Sequence, residues 1–160
     1  MRKKMILVFL LLAVCLVGQI FAQGPAPKKP QPAADFILPD LKGQQTALSQ
    51  FKDKQPVLLV FWTTWCPYCR QQLKFLKERS IDLEKDKIKL LAINVAEDER
   101  KVASFVDANA IEYTVLLDKD TVVADSFNLL GVPTYVLINR QGQVVYNDNA
   151  FPKDYKKLVS

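Results

Sequence analysis

Beyond residue 30 the longest unbroken apolar run is Val57-Leu58-Leu59-Val60-Phe61-Trp62. No polar position interrupts it, which predicts a central strand covered on both faces. The period then changes. Over 67–79, Leu73, Phe75 and Leu76 fall toward one side and Arg70, Gln71, Lys74, Lys77 and Glu78 mostly on the other, which predicts a helix. Ile88-Lys89-Leu90-Leu91-Ala92-Ile93-Asn94-Val95 predicts a second buried strand. Over 97–109, Val102, Phe105 and Val106 recur at helical spacing behind Glu97, Asp98 and Glu99, whose charge suits a helix start.

The remaining pattern predicts a strand at 113–117, a short helix at 122–129 and a strand at 134–138. A hairpin turn at Asn139-Arg140-Gln141-Gly142-Gln143 leads to a returning strand at 144–146. A last helix at 152–159 would put Tyr155, Leu158 and Val159 on one face. Upstream, Phe36 and Leu38 alternate with other residues, as in a short edge strand, and Leu48-Ser49-Gln50-Phe51 reads as one turn of helix. This order predicts an α/β sandwich with helices on both faces of a mixed sheet. Its parallel strands come first and an antiparallel hairpin comes last.

The N-terminus is organised differently. Met1-Arg2-Lys3-Lys4 precedes an apolar stretch to Ala22, the pattern of a secretory signal peptide over 1–22. The alternative is an uncleaved membrane anchor, since the stretch is near the shortest length that spans a bilayer, about 17 residues. Residues 23–34, with Pro25, Pro27, Pro30 and Pro32, read as an extended linker, leaving 35–160 as one domain. The overall charge of +5 is misleading. Three of the 22 basic residues and none of the 17 acidic ones lie in 1–22, so the balance beyond is only +2. That gives no case for nucleic acid. Export would place the chain where disulfides persist.

The candidate chemistry sits where the central strand meets the first helix, at Trp65-Cys66-Pro67-Tyr68-Cys69. A helix N-terminus offers unpaired N–H groups and partial positive charge. A thiolate at Cys66 would be stabilised there, below the free thiol value of about 8.5. Cys66 comes first and is expected to be the more exposed, so it is the candidate nucleophile. Cys69, one turn on, is placed to resolve a mixed disulfide. A zinc site within the chain is disfavoured. It needs two further Cys or His ligands, the chain has no histidine, and its one other cysteine is Cys15 in the leader. A site shared by two chains, or a purely structural bridge, remains an alternative. Gly131-Val132-Pro133-Thr134 adds a proline just before a strand. Beside a C-x-x-C site, a cis bond there would offer the Val132 backbone to a substrate chain.

These residues resemble the thioredoxin superfamily and, within it, the TlpA/ResA-like exported thiol–disulfide oxidoreductases. The resemblance rests on Ala34-Asp35-Phe36-Ile37-Leu38 with Asp40-Leu41-Lys42-Gly43, on Phe61-Trp62-x-x-Trp65-Cys66-Pro67-Tyr68-Cys69, on the extra strand and helix before the last hairpin, and on Gly131-Val132-Pro133-Thr134. It implies a thioredoxin fold, a three-layer α/β sandwich around a central mixed β-sheet with an inserted β-α unit. It also implies a cis Pro133 and redox-active Cys66 and Cys69, with no cofactor or metal. Trp65, Pro67, Tyr68, Val132 and Pro133 would frame the substrate.

The implied activity is reduction of disulfides in exported proteins, as in cytochrome c maturation, by a monomer fed from a membrane thiol donor. It would work in the periplasm or anchored to the outer face of the inner membrane. Two departures stand out. Thioredoxins carry a buried acid where this chain has Val60, and ResA-like proteins a glutamate where it has Gln72. Neither residue titrates, so the group that handles the Cys69 proton is not legible. Lys74 also stands where a kinking proline is common. The Pro67-Tyr68 dipeptide resembles the glutaredoxin centre and predicts a pair less reducing than thioredoxin. The rival readings are a disulfide oxidase or isomerase, and a Cu(I) carrier using the two thiolates.

Overall fold

The structure is a computed structural model and describes residues 30–160. The expected signal peptide or anchor, and the linker up to residue 29, lie outside the described residues. Among the described residues no helix is long and apolar enough to cross a membrane.

The apolar run forms β4 (Val57–Trp62), which lies inside a six-stranded sheet. It pairs in parallel with β5 (Lys89–Val95), which pairs in parallel with β6 (Thr114–Asp118). On its other side it runs antiparallel to β7 (Thr134–Ile138), followed by β8 (Gln143–Asp148). Every residue of β4 is buried, because both faces are covered. Leu58, Val60 and Trp62 point into one core, with Leu90, Ala92, Val115, Leu117, Tyr135 and Leu137. Val57, Leu59 and Phe61 point into the other, with Leu91, Ile93, Leu116, Val136 and Ile138.

The first core is closed by α1 (Pro67–Lys85), α2 (Glu99–Ala108) and α4 (Tyr155–Val159). The second is closed by α3 (Val122–Ser126) and by the N-terminal segment carrying Phe36, Leu38 and Leu48. The three layers of a thioredoxin fold result. β6 and α3 supply the additional strand and helix ahead of the last hairpin.

The differences from the sequence reading have physical causes. The first helix runs to Lys85 rather than to residue 79, because Leu83 continues the buried stripe of Cys69, Leu73 and Leu76. Residues 30–34, read as linker, already belong to the fold. β1 (Gln31–Pro32) lies antiparallel on the edge strand β8, an edge position that tolerates a proline. Phe36 and Leu38 flank or occupy β2 (Ile37–Pro39), which pairs with β3 (Gln45–Ala47), a polar strand the pattern does not predict. Leu48–Phe51 is a 3-10 turn. The returning strand is longer than 144–146, and α3 stops at Ser126 rather than at residue 129. In α4 only Tyr155 is buried, while Leu158 is exposed. Tyr155 donates its hydroxyl to Asp86 at 2.8 Å, and Lys156 pairs with the same carboxylate, tying α4 to the end of α1.

The helix expected over 97–109 starts at Glu99, capped by Asp98, whose side chain accepts the Arg100 N–H. Ala96, at the end of β5, adopts the left-handed region with φ of 56°. That turn leaves Glu97 outside the helix and aims it inward.

Candidate active site

β4 ends at Trp62, and the loop Thr63-Thr64-Trp65 delivers Cys66 to the N-cap of α1. Cys66 has extended backbone angles, φ −79° and ψ 111°, and Pro67 occupies the first helical position, where no N–H is needed. The Cys66 sulfur accepts the Cys69 N–H at 3.1 Å. The cap that serine or aspartate usually supplies is here supplied by the Cys66 sulfur. Cys66 and Cys69 are joined as a disulfide in this structure. Cys66 is 6% exposed and Cys69 0%, so the first sulfur is the one reached from outside.

The opposite wall is the loop before β7. The Val132–Pro133 peptide is cis, and the Val132 carbonyl oxygen lies 3.7 Å from Cys66 Sγ. Two groups that sequence reasoning missed hold this loop. The Thr134 hydroxyl donates to the Gly131 carbonyl at 2.7 Å, and the Asn149 amide donates to the Pro133 carbonyl at 2.7 Å. Around the sulfurs, Pro67 is exposed, Trp65 is 63% and Tyr68 49% exposed, and Leu130 projects fully into solvent two residues before Val132. The chain thus brings Cys66, Cys69, Val132 and Pro133 together, with Trp65, Pro67 and Tyr68 on the rim.

The two non-titrating positions are occupied as follows. Val60 is wholly buried in the core. Gln72 accepts a hydrogen bond from the Tyr135 hydroxyl at 2.8 Å. Burial raises the Tyr135 hydroxyl far above the usual tyrosine value, with a smaller push from Tyr68. It therefore stays protonated and serves as donor.

A carboxylate does stand beneath the active-site loop, and it is Glu97. Its side chain is only 4% exposed. Oε2 accepts the Thr64 N–H at 2.6 Å and the Asn94 amide at 2.8 Å. Oε1 accepts the Thr64 hydroxyl at 2.7 Å and pairs with Lys101 Nζ at 2.7 Å. Burial alone would push this carboxyl up. Lys101, Asn94 and the two Thr64 donors outweigh it and hold Glu97 below the usual glutamate value, so it stays ionised. The signal available in the sequence was an acid cluster directly after a buried strand, but nothing local marks Glu97 from Asp98 or Glu99. Among the described residues no group of three or more His, Cys, Asp or Glu stands together as metal ligands.

The profile of the AhpC/TSA family matches residues 30–147. The thiol-disulfide oxidoreductase ResA of Geobacillus kaustophilus is 30% identical over 145 residues, spanning 90% of this chain and 83% of that protein. ResA of Bacillus subtilis is 30% identical over 141 residues, 85% of this chain and 78% of the relative. Among solved structures, a candidate thiol:disulfide interchange protein DsbE from Chlorobium tepidum superposes with a TM-score of 0.71 at 28% identity, covering 83% of this chain and 94% of that one. StoA from Bacillus subtilis shares the fold, with a TM-score of 0.67 at 23% identity over 82% of this chain and 100% of that one.

Proposed function

The chain belongs to the AhpC/TSA family and is a ResA-like thiol–disulfide oxidoreductase of thioredoxin fold, and on that premise we propose that it reduces protein disulfides outside the cytosol. Cys66 is the nucleophile. In the reduced protein its thiolate attacks one sulfur of a substrate disulfide and expels the other as a thiolate. The Cys69 thiolate then attacks Cys66 Sγ, releasing the second substrate thiolate and closing the Cys66–Cys69 disulfide. Two electrons pass to the substrate, and a dithiol donor at the membrane returns them by the same exchange chemistry.

The observation that carries this reading is the placement of Cys66. Its sulfur caps α1, accepts the Cys69 N–H and lies 3.7 Å from the Val132 carbonyl oxygen, with Trp65 and Tyr68 exposed on either side of it in the chain. The helix N-terminus favours a thiolate there. A substrate strand pairing with the Val132 backbone would bring its disulfide within reach, with Pro133 shaping that wall. Exported apoproteins of the cytochrome c maturation type are the proposed substrates. The proposed location is the periplasm, free or anchored at the outer face of the inner membrane.

Trapping tests the roles. In Cys69→Ser the resolving thiol is gone, so partners should accumulate as mixed disulfides through Cys66. Trapping that required Cys69 instead would reverse the assignment.

A further inference from the structure

Thr64 lies two residues before the nucleophile, and each of its polar groups is held. Glu97 takes its N–H and its hydroxyl at 2.6 and 2.7 Å. Arg70, one turn into α1, donates Nε to its carbonyl at 2.7 Å, with its guanidinium 6.0 Å from the Phe105 ring centre. Glu97 is itself gripped by Asn94 from β5 and by Lys101 from α2. One carboxylate therefore ties together β5, α2 and the loop that ends β4, and Arg70 closes the ring through α1. Its burial makes the arrangement stringent, since charge-assisted hydrogen bonds are about twice as strong as neutral ones.

We infer that Glu97 is the positioning residue of the nucleophile: it clamps Thr64 so that Cys66 stays at the N-cap of α1 with its sulfur on the Cys69 N–H. This rests on the oxidoreductase reading of Cys66 and deepens it. Glu97 hydrogen-bonds to Thr64, Asn94 and Lys101 and to neither sulfur. It acts through the loop, and its charge is balanced by Lys101, so it does not oppose a thiolate nearby. The position of the loop sets how well the helix N-terminus stabilises that thiolate. Losing the clamp should therefore make Cys66 harder to deprotonate, although a negative charge has been removed. An electrostatic role alone would have the opposite sign.

The test is iodoacetamide alkylation of the reduced full chain against pH, read by mass spectrometry on the peptide that carries Cys66. In Glu97→Ala the midpoint should move to higher pH, and the rate at neutral pH should fall about tenfold, the scale of losing charged hydrogen bonds. Glu97→Gln and Thr64→Val should move it the same way by less, and they carry the test if Glu97→Ala does not fold. Asp118→Ala, which removes a buried carboxylate elsewhere, should lose stability and leave the midpoint in place. A midpoint unmoved, or moved to lower pH, in the Glu97 and Thr64 variants overturns the inference. A wild-type Cys66 no more reactive than a free thiol would overturn the oxidoreductase reading itself, which separates the two failures.

Discussion

Glu97 and Asp118 are both buried, the first 4% exposed at its side chain and the second 2% overall, and both accept backbone N–H groups. Asp118 ends β6 and Glu97 lies two residues past the end of β5, its parallel neighbour in the sheet. Asp118 closes β6 and accepts the N–H groups of Val123 and Ala124 at 3.3 and 2.8 Å, capping α3, whose own N-cap residue Thr121 makes no side-chain cap. Its work is done within one connection. Glu97 follows β5 and reaches across the sheet end to the loop of the neighbouring strand, with a lysine as counter-ion. The same chemical group thus serves a local cap in one place and links separate elements around Cys66 in the other. What differs is the partner the turn supplies. The left-handed Ala96 sends Glu97 back over β4.

The comparison can be broken or sharpened by measurement, starting with the largest effect. Cys66→Ser should abolish disulfide reduction while leaving both carboxylates and their partners in place. Unfolding midpoints near that of the reduced wild type, with no turnover above background, are expected. Next, Asp118→Ala should cost roughly 1–3 kcal/mol, because buried N–H groups lose their acceptor. The reduction rate per folded molecule should be unchanged, and a parallel loss of rate would erase the distinction between the two carboxylates.

Acid should weaken the hold of Glu97. Its folded pKa is lowered, so its contribution to stability is present above the unfolded value and lost as pH falls through the folded one. Glu97→Gln should therefore flatten the acid side of the stability profile of the oxidised protein, measured by denaturant unfolding from neutral pH down to about pH 3. An identical slope in both proteins would contradict the assignment. The smallest effect is expected at Tyr135→Phe. It removes a neutral hydrogen bond to Gln72, which is half-buried and can turn to water. A cost of about 0.5–1.5 kcal/mol is expected, with the Cys66 pH profile unmoved.

How much of this was legible in the chain follows from the range of the forces involved. The β4 run and the helix after it are local patterns, and burial enforces them, so Cys66 at a strand–helix junction could be read directly. The cis Pro133 wall could be read only by resemblance, because local sequence does not determine an X-Pro isomer. β1 and β3 were not legible. Gln31–Pro32 and Gln45–Ala47 are short and polar, and only pairing with an existing edge makes them strands. Glu97 was read as a helix-start charge because Glu97, Asp98 and Glu99 look alike in sequence. A single positive φ at Ala96 separates the buried member from the exposed ones, and nothing in an alanine announces it. Glu97 does not stand in for the acid missing at Val60 and Gln72: its partners are Thr64, Asn94 and Lys101.

The most direct test of the central claim is the equilibrium of the Cys66–Cys69 pair against a thiol–disulfide buffer. The expected result is a reversible two-electron transition near the glutaredoxin range, about −200 to −230 mV and so less reducing than thioredoxin at about −270 mV. A potential near the strongly oxidising end, about −120 mV, or no reversible transition at all, would contradict a reductase built on this dithiol.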